Sequence, residues 1–177
     1  VLFDPFNILN KQECNEAVNN FNSLEGWAHT KDSLRSETEG FNYSYVHITN
    51  GGFPHIINPL LNIFTIKTDL NVLKYKCRVL RFQKDEYLST HSYDYSKLYY
   101  KNITLFEDFL KQTSFCINLF LSEFNNTKFI INNKTAPVSI GDSIIIDKTS
   151  KCKLTPVDSD FFLLMLHIKP DKKNYAI

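Results

Sequence analysis

Between residues 79 and 157 the chain reads VLRF (79–82), LSTHSYDYS (88–96), FCINLFL (115–121), TKFII (127–131) and APVSIGDSIIIDKTSKCKLTPV (136–157). These are short apolar or alternating runs separated by Asn-Asn, Asn-Lys and Gly-Asp turns. Runs of this length punctuated by turn signals predict a two-sheet β sandwich or barrel, not alternating βα units. In the turn PVSIGD, Gly141 supplies a residue free to take a positive φ before the next apolar run enters the sheet.

Outward from this stretch, residues 74–82 carry Tyr75, Cys77, Val79, Leu80 and Phe82 and read as a strand. Another strand is expected at 43–48, and a last one at 161–168. Towards the N-terminus, Asn10 followed by Glu13 has the form of a capping box, and Cys14, Ala17, Val18 and Phe21 recur at helical spacing. A second helix is expected over 58–64, with Pro59 at its first position. A Tyr-rich insertion after residue 95 becomes helical in LFEDFLKQ, where Leu105, Phe106, Phe109 and Leu110 form one stripe. With no repeat and no Pro-, Gly- or Ser-rich linker, the 177 residues are expected to form one domain: helical and strand support over 1–70, a β core over 74–168 and a polar tail over 169–177.

Composition narrows the function classes. A net charge of +1 with 22% charged residues gives no footprint for nucleic acid, so none is expected as a partner. No apolar run reaches the roughly 20 residues that span a bilayer, and the first residues do not have the form of a signal peptide. Cys14, Cys77, Cys116 and Cys152 show no metal-knuckle spacing, and the first three lie in apolar segments, as buried thiols do. An intracellular or virion-associated setting is expected in preference to secretion, although sequons stand at Asn42, Asn102, Asn125 and Asn133. The abundance of Asn, Lys, Ile, Phe and Tyr points to an AT-rich genome such as that of a virus or parasite.

The order of these segments resembles that of the 2-oxoglutarate/Fe(II) dioxygenases, in particular the prolyl 4-hydroxylase-like branch. The resemblance runs from the first helix to Ile168, with the strand VLRF, a histidine after it, a P-x-x-x-G-D turn at Pro137, Gly141 and Asp142, and the segment ending Leu154-Thr155-Pro156-Val157. It implies a mostly β protein with flanking helices (α+β), built on a double-stranded β-helix, or jelly-roll, core with N-terminal helices packed on the major sheet. The family holds Fe(II) with His-x-Asp and a distal histidine, which leaves positions open for 2-oxoglutarate and dioxygen.

At those positions this chain departs from the pattern. His91 stands at the first histidine, but two residues on is Tyr93, with Asp94 displaced by one. Cys152 occupies the distal histidine's place, and ten residues beyond it, where Arg or Lys would anchor the cosubstrate, stands Phe162. Phe82 replaces the tyrosine that would face 2-oxoglutarate from the end of VLRF. His91, Asp94 and Cys152 are the candidate metal ligands, and Phe82 and Phe162 mark cosubstrate positions whose polar groups are lost. His167 or Lys169 would serve as a substitute cation only from elsewhere on the strand.

Three functions remain open on this basis. The first is a catalytically degenerate dioxygenase fold kept as a protein-binding or structural module, with no cofactor. The second is an active hydroxylase using Fe(II) and 2-oxoglutarate at an atypical His91/Asp94 site, and the third an unrelated jelly-roll binding or virion protein. Tyr87, Tyr93, Tyr95, Tyr99 and Tyr100 are a candidate interface, since tyrosine joins a rigid apolar ring to a polar tip. His29, His47 and His55 are expected to be surface or hydrogen-bonded histidines.

Overall fold

The computed structural model describes residues 4–30, 41–92 and 105–171. Three helices, α1 (Lys11–Asn22), α2 (Pro54–Thr68) and α3 (Leu105–Gln112), accompany twelve strands among these residues. The strands are β1 (Phe6–Asn7), β2 (Ala28–His29), β3 (Phe41–Asn42), β4 (Ser44–Ile48), β5 (Val72–Phe82) and β6 (Tyr87–Ser92), then β7 (Phe115–Phe120), β8 (Phe129–Ile131), β9 (Lys134–Thr135), β10 (Asp142–Asp147), β11 (Lys151–Leu154) and β12 (Phe161–Pro170). They form a seven-stranded major sheet in the order β1-β10-β7-β12-β5-β4-β2 and a five-stranded minor sheet in the order β3-β6-β11-β8-β9. Every pairing is antiparallel.

Period-two alternation in the long strands serves two cores at once. On one face of the major sheet, Val79, Ile117, Leu119, Ile145, Phe162, Leu164, Leu166 and Ile168 pack against Cys14, Ala17 and Phe21 of α1 and Ile56, Ile57, Leu60 and Phe64 of α2. On the other, Leu80, Phe82, Phe120, Ile144, Phe161, Leu163 and Met165 meet Leu88, Phe129, Ile131, Cys152 and Leu154 of the minor sheet. The β-helix core and the helices packed on its major sheet are thus as the sequence predicts.

Helix α1 begins with the expected capping box: the Glu13 amide donates to the Asn10 side chain at 2.8 Å, and the Asn10 amide donates to Glu13 Oε1 at 3.0 Å. The second helix departs from expectation. It starts at Pro54, not near Pro59, which lies inside it. Burial of Ile56, Ile57, Leu60 and Phe64 on one side holds this helix together despite the missing Pro59 amide. β12 also continues through Lys169 to Pro170, so the expected tail boundary at 169 falls inside a strand.

The turn through Pro137, Gly141 and Asp142 ties the N-terminal segment to the major sheet. Gly141 has φ +85°, its carbonyl accepts from the amides of Ile8 at 2.9 Å and Leu9 at 3.2 Å, and its amide donates to Phe120 at 2.8 Å. Asp142 braces the turn by accepting from the Ser139 amide and hydroxyl, both at 3.0 Å, and from Asn7 Nδ2 at 3.1 Å.

Candidate functional site

The space between the sheets has two halves. Around Phe82 it is aromatic: Tyr43 lies 5.3 Å and Phe161 6.4 Å from its ring centroid. Phe124 bridges Phe161, at 5.1 Å, to Phe120, at 5.2 Å, and Phe120 meets Phe129 at 4.9 Å. Leu110 of α3 joins the same inter-sheet core. Phe82 therefore borders filled space.

The other half is polar. Register places Arg78 of β5 opposite Met165 and His47, and His167 of β12 opposite Cys116 and Lys76. Directly opposed residues share a face, so His47, Arg78, Asn118 and His167 all belong to the inter-sheet face at this end of the barrel. The Arg78 guanidinium lies 6.0 Å from the Tyr43 ring and 5.9 Å from the Tyr45 ring, in cation–π range. His167 is fully buried. Burial first, then the neighbouring Arg78, His47 and His91, holds its ring well below the ordinary histidine range, so it is neutral at pH 7. His47, at the rim, is lowered in the same direction by partial burial, Arg78 and Lys76.

From the minor sheet, His91 and Cys152 face each other directly across β6 and β11. Leu88 opposes Leu154, so three steps along β6 match two along β11, and β6 carries the extra residue of a bulge. The bulge keeps both Leu88 and His91 on the inward face. It is closed by His91 Nδ1–H donating to the Ser89 carbonyl at 2.8 Å, which in the neutral ring leaves the lone pair on Nε2. Cys152 is fully buried, and burial, followed by Asp147, pushes its thiol up to about 12.

The structure thus brings His91 and Cys152 together but places Phe162 elsewhere. Phe162 packs in the helix-facing core, while the inward positions of β12 are Phe161, Leu163, Met165 and His167. Asp94, Tyr93, Tyr95, Tyr99 and Tyr100 lie outside the described residues. Tyr87, within them, lines a small recess of about 320 Å³ with Ser89, Thr90, Lys153, Leu154 and Pro156. His29 is hydrogen-bonded to the Glu86 carboxylate, and His55 is exposed beside Phe53.

Arg78 is the interior group that sequence inspection passes over. Counting back in twos along the strand from Phe82 through Leu80 reaches Arg78 on the same face, and that signal was available. His167 shares the face of Phe161, Leu163 and Met165, but the unbroken apolar run of β12 offers no such signal in the sequence.

Among the described residues the donors do not make up an Fe(II) centre of the two-histidine, one-carboxylate type, and the carboxylate candidate Asp94 lies outside them. Among the described residues no three His, Cys, Asp or Glu side chains converge as a metal site. The group opposite His91 is a buried thiol in place of an imidazole, a softer and more readily oxidised donor. The position ten residues beyond Cys152 is apolar and turned to the other core.

No family model matches the chain, and no curated protein matches its sequence. Solved structures do match. A viral collagen prolyl hydroxylase from Paramecium bursaria Chlorella virus-1, solved with 2-oxoglutarate, superposes with TM-score 0.61 at 15% identity over 95% of this chain and 94% of its own. A prolyl-4-hydroxylase of Pseudomonas putida gives 0.63 at 8% identity, covering 97% and 92%. An oxidoreductase of the 2OG-Fe(II) oxygenase family from Burkholderia pseudomallei gives 0.61 at 12% identity, covering 92% and 80%. The fold is that of the 2-oxoglutarate/Fe(II) oxygenases, in the arrangement found in prolyl hydroxylases. At these identities the likeness is one of fold, and the site has to be argued from its own residues.

Proposed function

We propose that this chain is a catalytically degenerate member of the prolyl 4-hydroxylase-like oxygenases, retained as a protein-binding module that works without iron or 2-oxoglutarate. The observation that carries this reading is the pair His91 and Cys152: the fold brings together the two positions that would supply the histidines, and one of them holds a buried, protonated thiol. The aromatic filling beside Phe82 supports it, because a dicarboxylate placed there would displace packed rings and leave a charge in apolar surroundings, at a cost of several kcal/mol. Relatives in fold act, by their names, on prolyl residues of polypeptides, and a protein partner is consistent with that ancestry. An intracellular or virion-associated setting fits four buried cysteines with no disulfide between them. Among the described residues no helix is long and apolar enough to cross a membrane.

Anaerobic titration calorimetry with Mn(II) or Fe(II) and 2-oxoglutarate tests the reading. No saturable heat is expected from either component. Micromolar affinity for the metal together with the cosubstrate would overturn it in favour of an active hydroxylase in which Asp94 joins His91.

A further inference from the structure

Strand β5 pairs with β12 along its whole length, from Phe82 opposite Phe161 to Val72 opposite Pro170. Its partner on the other side, β4, covers it only from Arg81 to Cys77. Among the described residues no strand pairs with residues 72–76 on the side where β4 has ended. The sequence there is Val-Leu-Lys-Tyr-Lys. Lys74 and Lys76 share one face and Tyr75, packed towards the helical core, the other; between Lys74 and Val72 the register with β12 shifts, so Leu73 lies in an irregularity of the ladder.

Lysines on a bare strand edge often serve only to discourage aggregation. This edge, however, is one wall of a groove of about 980 Å³ whose other walls are the end of β4, from His47 to Asn50, and Phe109 and Gln112 of α3. The groove shares Leu73 and Gln112 with a recess of about 610 Å³ that adds Lys111, Lys148 and Lys169. Among the described residues, five lysines therefore border the two spaces, against one carboxylate, Asp171, in a chain whose net charge is only +1. Among the described residues none of the five is in an ion pair, and Lys169 donates to Gln112 Oε1 at 2.8 Å. Leu73 is 52% exposed at the junction.

We propose that this edge docks an extended acidic segment of a partner protein, which adds as a strand beside residues 72–76 and sets carboxylates against Lys74 and Lys76. The inference rests on the protein-binding reading above and names the surface and the partner's chemistry. A strand edge presents alternating N–H and C=O groups, and an added peptide strand satisfies both kinds. A DNA backbone only accepts hydrogen bonds from such an edge and would leave its carbonyls uncovered. The fitting segment alternates Asp or Glu with apolar residues, so that the acidic side chains meet the lysines and the apolar ones the side of Tyr75.

The test uses the full chain and a fluorescein-labelled peptide of about ten residues alternating Glu with Val, the length and pattern of one added strand. Saturable binding by anisotropy is expected, falling by about tenfold or more in Lys74→Glu/Lys76→Glu, with preference switching to a Lys/Val peptide in that variant. Both lysines are exposed, so the variant is expected to fold, which circular dichroism verifies. A version with proline at every second position keeps the charge but cannot form the ladder, and is expected not to bind. Amide exchange at residues 72–76 is expected to slow only with the pairing peptide. The site is overturned if the alternating peptide does not bind, if the proline version binds equally well, or if an oligothymidine binds more tightly than the peptide. These outcomes are separable from failure of the parent reading: a blank metal titration with no peptide binding rejects this edge alone, whereas cofactor binding rejects the degenerate-module reading itself.

Discussion

At Gly141 one missing carbon decides whether two parts of the chain can meet. A methyl group built on this residue would lie 1.9 Å from the Leu9 carbonyl oxygen and 3.2 Å from Asn7 Nδ2, and φ +85° is in the region that L side chains rarely adopt. Gly141→Ala therefore has to move the N-terminal segment away and give up the bonds from Ile8 and Leu9. A loss of about 3 kcal/mol or more is expected in urea unfolding, larger than for an ordinary Gly→Ala change in a turn. The positive φ of this glycine was legible in the sequence, because turn chemistry is local, whereas its close approach to Leu9 was not. The relation between His91 and Cys152 was legible only as a matching of positions: that they lie directly opposite each other depends on a bulge at Ser89 and Thr90, and no residue there signals it. The neutral state of the Cys152 thiol was not legible at all, since it follows from burial by residues distant in the chain.

Strand β12 shows at the scale of an element why counting positions from a motif misleads about faces. Its length, its apolar character and its place in the major sheet follow from eight consecutive buried residues, Phe161 to Ile168. Such a run carries no alternation, so the sequence could not say which residues look at the helices and which at the minor sheet. The structure divides them, with Phe162, Leu164, Leu166 and Ile168 on the helix side and Phe161, Leu163 and Met165 on the inner side. A substitution separates the two views of Phe162. If the position faced a cosubstrate pocket, Phe162→Lys would restore a missing anchor. Packed as it is against the helical layer, the ammonium group would instead be buried among apolar side chains. Phe162→Lys is expected to lower stability by about 3 kcal/mol or more in chemical denaturation and to confer no 2-oxoglutarate binding in calorimetry. A variant as stable as wild type that binds 2-oxoglutarate would show that the strand's faces had been assigned the wrong way round.

Over the whole molecule the distribution of charge matters more than its sum. A net charge of +1 conceals both the basic mouth around α3 and the buried His167 inside the barrel, because neither leaves a cluster in the sequence. His167 links folding to pH. In the unfolded chain a histidine titrates near pH 6.5, while in the folded protein burial, Arg78, His47 and His91 lower its affinity for a proton. Above about pH 6.5 the ring is neutral in both states and stability does not depend on it. Below that value the unfolded chain takes up a proton that the folded chain refuses, so stability falls as pH falls, by up to about 1.4 kcal/mol per pH unit, until the folded pKa is reached. His47 is shifted in the same direction and adds to the slope. Urea midpoints measured between about pH 7.5 and pH 5, above the range where most carboxylates titrate, are therefore expected to be level at first and then to decline. His167→Gln removes the titrating group from the buried position and is expected to flatten that decline, even if its stability at pH 7.5 is lower, whereas His47→Gln at the rim flattens it less. Parallel curves for wild type and His167→Gln would mean that His167 reaches water or a carboxylate in the folded protein, contrary to its place between Arg78 and the other histidines.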